Sequence, residues 1–139
     1  MHIAEEYWGG IPARASELTG VEVSQAAFLG ANALFWVLMT AAVVLVLRQP
    51  SRALLVVSLA TIIVINVVLH MGGALLTVSY TPGLVSGVVL WLPLGIVALA
   101  CGHRALSRPS FRSGVLIGVV AHILVPLVGV GFVLILGGG

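Results

Sequence analysis

Apolar positions along the chain fall into four long runs broken by short polar stretches, and this pattern predicts four membrane-crossing helices. The runs cover about residues 26–47, 53–77, 84–102 and 113–136. Each is close to or above the roughly 20 residues needed to cross about 30 Å of hydrocarbon at 1.5 Å per residue. The first break is Arg48-Gln-Pro-Ser-Arg52. The second is Tyr80-Thr-Pro-Gly83, with Pro and Gly in places that suit a turn. The third holds His103, Arg104, Arg108-Pro-Ser and Arg112. Ahead of the first run, residues 1–25 are the only extended polar part. There MHIAEEYW has the length of two helical turns, and the following WGGIP stops them because Gly-Gly and Pro break helices. The stretch up to Gln25 reads as an interfacial segment, with Tyr7 and Trp8 suited to the headgroup layer. The expected fold is an all-α integral membrane protein of one domain, residues 1–139. Its four transmembrane helices form an up-down bundle, and a short N-terminal half-helix carries the HIAEE sequence.

Composition supports that reading. The chain is 60% hydrophobic and 7% charged, whereas a soluble domain carries about 25% charged residues. Too little polar surface exists to face water, so lipid is the expected solvent and no separate soluble domain is expected. Nothing at the start reads as a removable signal peptide. Arg48 and Arg52 flank one loop, and Arg104, Arg108 and Arg112 another. Both loops fall on one side of an up-down bundle, which the positive-inside rule assigns to the cytoplasm of a multi-pass inner-membrane protein. This use of the arginines argues against nucleic acid as a partner. All four acids, Glu5, Glu6, Glu17 and Glu22, lie in the N-terminal segment. The lone Cys101 has no internal disulfide partner and no metal-site spacing, so it reads as a helix filler. His103, within the Arg-rich loop, reads as solvated.

Against this background the polar residues at membrane depth stand out, because ionisable groups there are costly and usually mark a site. Asn66 falls near the middle of the second helix, His70 one turn further out, and His122 near the middle of the fourth. Asn32 in the first helix is roughly level with His70. Asn66, His70, Gly73 and Thr77 follow a single helical stripe. Gly114, Gly118 and His122 are spaced by four, giving the fourth helix a small-residue groove that leads to its histidine. Pro126, with no N–H, leaves the His122 carbonyl without its helical partner. Asn32 shares a face with Trp36, which would wall a pocket. The bland alternative for each Asn and His is a hydrogen bond across helices. For Pro93 and Pro126 it is simple kinking, and for Gly87, Gly95, Gly114, Gly118, Gly129 and Gly131 it is packing.

His2, Glu5 and Glu6 stand at i, i+3 and i+4, so a helix turns all three toward one side. Helix-bundle metal sites use His and carboxylates at such spacing. The sequence His2-Ile-Ala-Glu5-Glu6-Tyr-Trp, then Asn66-x-x-x-His70, then Tyr80-Thr-Pro-Gly-Leu-Val-Ser resembles the small bacterial membrane proteins named for their HXXEE motif. The resemblance covers most of the chain. It implies an arrangement of helices and not a reaction, with His2, Glu5 and Glu6 as the eponymous residues and Asn66 and His70 as a further polar pair.

Taken together, these residues predict a membrane-embedded enzyme acting on a lipophilic small molecule drawn from membrane lipid. Its catalytic residues are expected to be Glu5, Glu6 and His70, with Asn32, Trp36, Asn66 and Trp91 lining the substrate site. His2, Glu5, Glu6, His70 and His122 are the expected ligands of a divalent metal, and a set lacking thiolate suits Zn, Fe or Mn. Without metal, Glu5 or Glu6 would act as acid or base with His70 as partner. Hydrolysis, isomerisation and proton-initiated cyclisation all fit such a centre. A homo-oligomeric proton-coupled transporter or channel is the first alternative, and a membrane assembly protein working through its glycine-lined faces is the second. The polar set stops near the midplane, which favours a pocket with one mouth over a path from side to side.

Overall fold

The computed structural model describes residues 1–137, with side chains except those of residues 18, 19, 126 and 128–137. Every regular element among the described residues is helical. The N-terminal segment forms α1 (His2–Trp8) and α2 (Ile11–Thr19), and the first span is α3 (Gln25–Arg48). After a 3₁₀ turn, Pro50–Arg52, comes the second span, α4 (Leu54–Thr77). The third span is a short turn α5 (Leu84–Ser86), a π-helical stretch Gly87–Trp91 and then α6 (Leu92–Ala105). The fourth lies in α7 (Arg108–Gly137). Among the described residues four helices are long and apolar enough to cross a membrane, as the four apolar runs require.

The departures from expectation have local causes. Within the stretch read as an interfacial segment, residues 11–19 form a helix that the sequence reading did not assign. Gly10 takes the left-handed conformation at φ 83°, and Pro12 sits in the first turn, where its missing N–H costs nothing. The fourth helix begins at Arg108, not 113, for the same reason. Pro109 is its second residue, and the Ser107 carbonyl accepts from the Phe111 N–H at 2.9 Å. In the third span a regular turn would press the Pro93 ring against the Val89 carbonyl. The preceding turn is widened, with Leu92 N–H reaching the Gly87 carbonyl, and the span continues to Ala105. The Tyr80–Gly83 region does turn the chain. Leu84 N–H bonds the Thr81 carbonyl at 3.1 Å, Pro82 takes the second position and Gly83 the third at φ 91°. These are the requirements of a type II turn.

α4 is the centre of the molecule. Among the described residues its Val57, Ala60 and Val67 form the buried hydrophobic core, at 0%, 2% and 1% exposure. Such a small core suffices because lipid, not water, bounds the outer faces, and helix association in lipid rests on close packing and polar contacts. Glycines provide the closeness. A Cβ on Gly87 would lie 3.3 Å from Val67, on Gly95 2.7 Å from Val64, and on Gly102 2.5 Å from Val57. From the other side, Gly114 meets the Leu54 carbonyl and Val57, and Gly118 the Ser58 carbonyl and Thr61. Ser58 Oγ bridges the joint, donating to the Gly114 carbonyl at 2.9 Å. The small residues of α7 therefore form an α4 contact and not an open groove. Pro126, Gly129 and Gly131 lie outside the residues whose side chains are described.

Candidate functional site

α1 is seven residues long and could not stand alone as a helix in water. It is held by the turn after α4. A Cβ on Gly9 would lie 2.3 Å from Pro82 Cβ, so the C-terminus of α1 lies directly on a proline that is fully buried. A Cβ on Gly83 would lie 2.9 Å from both the His2 and the His70 Cε1 atoms. Only glycine fits there, between two imidazoles and at positive φ. Thus the Pro82-Gly83 pair makes the turn, seats α1 and leaves room for both rings.

Three side chains converge beneath this turn. His70 Nε2 is 3.1 Å and His2 Nε2 3.4 Å from the same oxygen, Oε1 of Glu6. One ligand atom from each residue lies within 4.8 Å of the other two, and Glu6 is 9% exposed. The His2 and His70 rings meet edge to face at 5.4 Å, and Trp91, carried by the widened turn, meets His2 edge to face at 6.3 Å. Asn66 Nδ2 is 3.1 Å from His2 Nε2. Burial holds the His2 imidazole below its ordinary range, against the opposing pull of Glu6, so the ring is neutral near pH 7.

Glu5 is placed differently from the sequence expectation. It is not in the three-residue cluster, because its oxygens are taken elsewhere. Oε1 accepts from the Tyr80 hydroxyl and from Val85 N–H at 3.1 Å, and Oε2 accepts from Ser86 N–H at 2.9 Å and Ser86 Oγ at 2.5 Å. Burial pushes the Glu5 carboxyl up, but these hydrogen bonds outweigh it and hold the group at about 2. The same bond raises the Tyr80 hydroxyl above its ordinary value. Glu5 is therefore an ionised anchor of α1 onto the start of the third span.

Ser86, which sequence reasoning passed over, links the two parts. Its Oγ bonds Glu5 Oε2 and also lies 2.8 Å from His2 Nδ1. Since an ionised Glu5 only accepts, the hydroxyl proton goes to Glu5 and the oxygen accepts from His2 Nδ1–H. His2 is thereby fixed as the tautomer whose Nε2 lone pair faces Glu6, His70 and Asn66. A single serine in an apolar stretch carries no spacing signal, and only its place at the end of the Tyr80-to-Ser86 sequence pointed to it.

Below the cluster a cavity of about 250 Å³ opens between α1, α3, α4, the third span and α7. Its polar wall is His2, Glu6, Asn32, Asn66 and His122, and its apolar wall includes Phe35, Trp36, Met39, Ile63, Trp91 and Val125. All four expected substrate residues, Asn32, Trp36, Asn66 and Trp91, line it. Trp36 is 64% exposed at the rim, while the Asn32 amide bonds its own helix at the Phe28 carbonyl, 3.0 Å away. His122 lines the cavity but is not in the cluster, contrary to the expected metal set. On the α4 stripe, Asn66 and His70 meet His2 and Gly73 meets Thr81, whereas Thr77 bonds the Gly73 carbonyl and Ser79 at the helix end.

No curated protein and no solved structure matches the chain. The model of a family described as proteins of unknown function with an HXXEE motif does match, over residues 1–98, a span that holds His2, Glu5, Glu6, His70 and Ser86, and the chain belongs to that family.

Proposed function

We propose that this protein is a membrane-embedded enzyme acting on a lipophilic small molecule at a centre formed by His2, Glu6 and His70. The observation that carries the reading is one cavity whose polar end holds His2 and Glu6 of this cluster, with His70 bonded to Glu6 behind them, and whose remaining wall is mostly apolar. Ligand sites have this construction, a largely hydrophobic pocket with a few convergent polar groups. Glu6 would act as acid or base, His70 as its proton partner, and Asn66 would orient a substrate oxygen. Glu5 positions His2 and does not react. Hydrolysis, isomerisation and proton-initiated cyclisation all require a proton moved at one buried point, and the site suits each of them.

The same reading sets the protein in the inner membrane as an up-down bundle. Along α4 the partners in the third span run in reverse order, from Gly102 at Val57 to Gly87 at Val67, while those in α7 run forward, from Gly114 to Gly118. Such alternation supports an up-down path. The Arg-rich loops then face the cytoplasm and α1 lies at the outer mouth. A transporter would need polar groups continuing inward from the cavity. The inward polar residues of α4, Ser58 and Thr61, are buried and bonded to backbone carbonyls.

The test compares lipid extracts of cells producing wild type, Glu6→Gln or His70→Ala, by untargeted mass spectrometry. A lipophilic species formed or consumed only with wild type supports the enzyme. Identical extracts, together with proton flux into vesicles that wild type alone supports, would replace it with the transporter.

A further inference from the structure

We propose that His2, Glu6 and His70 are the ligands of a divalent transition metal, with the remaining coordination position facing the cavity. This deepens the reading of a His/Glu centre and rests on it. The first support is distance. A tetrahedral ion with bonds of about 2.0–2.1 Å holds its ligand atoms about 3.3 Å apart. Glu6 Oε1 lies 3.4 Å from His2 Nε2 and 3.1 Å from His70 Nε2, so two of the three ligand spacings already suit a coordination sphere, and the third is within 4.8 Å.

The second support is independent of those distances. The relay from Glu5 through Ser86 to His2 Nδ1 commits Nε2 to carry the lone pair, which is the form a metal requires. A histidine needed only as a hydrogen-bond donor to Glu6 would be built the other way round. The Asn66 amide, 3.1 Å away, donates to this lone pair. An ion would take its place and release the amide toward the cavity, where it meets a substrate oxygen. Two histidines and one carboxylate form a set shared by catalytic zinc and by non-haem iron(II). Three protein ligands leave room for substrate or water, as a catalytic rather than structural site must. Glu5 is excluded as a ligand because Tyr80, Val85 and Ser86 occupy its oxygens. His122 is excluded because it comes too early in α7. Continuing the register of Gly114 and Gly118 along α4 brings His122 level with Ile63 and Val64, roughly 10 Å short of His70 at 1.5 Å per residue.

The experiment uses detergent-purified full-length protein, stripped with chelator and titrated separately with Zn²⁺, Fe²⁺ under anaerobic conditions, and Co²⁺ as a spectroscopic probe. Wild type should bind one ion per chain, with intense visible bands for Co²⁺ in a low-coordinate site. His70→Ala and Glu6→Gln should lose it. Ser86→Ala keeps all three ligands but frees His2 Nδ1, so it should retain the stoichiometry and bind roughly 10–100-fold more weakly. His122→Ala should bind as wild type does. Thermal unfolding of each variant, followed by tryptophan fluorescence, identifies any that fail to fold, and Glu6→Asp, which keeps the carboxylate, serves as a second variant at that position. No stoichiometric ion in wild type would overturn the metal site, as would equal binding in Glu6→Gln. Either result leaves the enzyme reading to stand or fall on the lipid comparison, where a product lost with Glu6→Gln would still be seen.

Discussion

Glu5 and Glu6 are the same residue type in adjacent positions, yet the fold gives them opposite work. Neighbouring helical residues point about 100° apart. From α1, Glu6 reaches His70 while Glu5 reaches Tyr80 and Ser86. Spacing alone had put both carboxylates with His2 on one side, and it does so only within that wide arc. The difference predicts a pH dependence. The folded Glu5 carboxyl lies at about 2, below its ordinary 4.5. A depressed carboxylate contributes stability in full above its unfolded value and loses it as pH falls toward the folded one. The melting temperature of wild type should therefore exceed that of Glu5→Gln at about pH 6, and the gap should close between pH 4.5 and about 2. Tryptophan fluorescence in an acid-stable detergent would follow it. A gap that stays constant through this range would mean that the charge on Glu5 is not what anchors α1.

At the scale of elements, the spans were readable because lipid asks only for length and apolarity, which a sequence displays directly. Capping and turn geometry were less readable. Pro12 and Pro109 are helix breakers by reputation, and each lies in the first turn of a helix. The widened turn before Pro93 depends on a carbonyl clash that no hydrophobic pattern records. Nor was the meeting of α1 with the turn after α4 visible, since it depends on two glycines fitting against Pro82 and two imidazoles. That fit makes a prediction. Gly83→Ala puts a methyl 2.9 Å from His2 and His70 at φ 91°, whereas Gly10→Ala, at φ 83°, meets nothing within 4 Å. Left-handed strain costs each about 1–2 kcal/mol. Only Gly83→Ala should also spread the imidazoles, so it should melt lower than Gly10→Ala and lose affinity at the proposed metal site where Gly10→Ala does not. Equal behaviour in both assays would show the rings have room to move. The joint between α4 and α7 gives a second contrast. A Cβ on Gly118 would lie 2.6 Å from the Ser58 carbonyl, and one on Gly72 would be in open space. Gly118→Ala should be destabilised by about 1–3 kcal/mol through overpacking, while Gly72→Ala should gain up to about 1 kcal/mol in helix propensity. Reversed signs in unfolding experiments would mean that small residues of α7 do not set this contact.

For the molecule as a whole, the site depends on which end of the bundle faces which side of the membrane. The sequence put His122 near the middle of its helix and His70 about one turn outward of the middle of its own. Packing against α4 sets them about 10 Å apart in height, because the contacts of Gly114 with Leu54 and of Gly118 with Ser58 fix the register of α7. Depth from counting is therefore good to about one turn, enough to find a cavity's polar wall but not to choose its ligands. Sidedness is testable apart from chemistry. Arginine placement predicts that Ser51 and, in the first turn of α7, Ser110 face the cytoplasm and that Ser79 faces the outside. Cys101 is exposed on the third span and must first be replaced by Ala, to remove its own thiol. In that background, Ser79→Cys should react with a membrane-impermeant maleimide on intact cells. Ser51→Cys and Ser110→Cys should react only after the membrane is opened. The opposite pattern would turn the bundle over and put the His2, Glu6 and His70 centre at the cytoplasmic face. One accessible member in each of the two Arg-rich loops would be stronger still, since both loops cannot lie on opposite sides if the third span and α4 run in opposite directions. The cavity would then draw its substrate from the leaflet that the labelled face identifies, which gives the lipid comparison its first place to look.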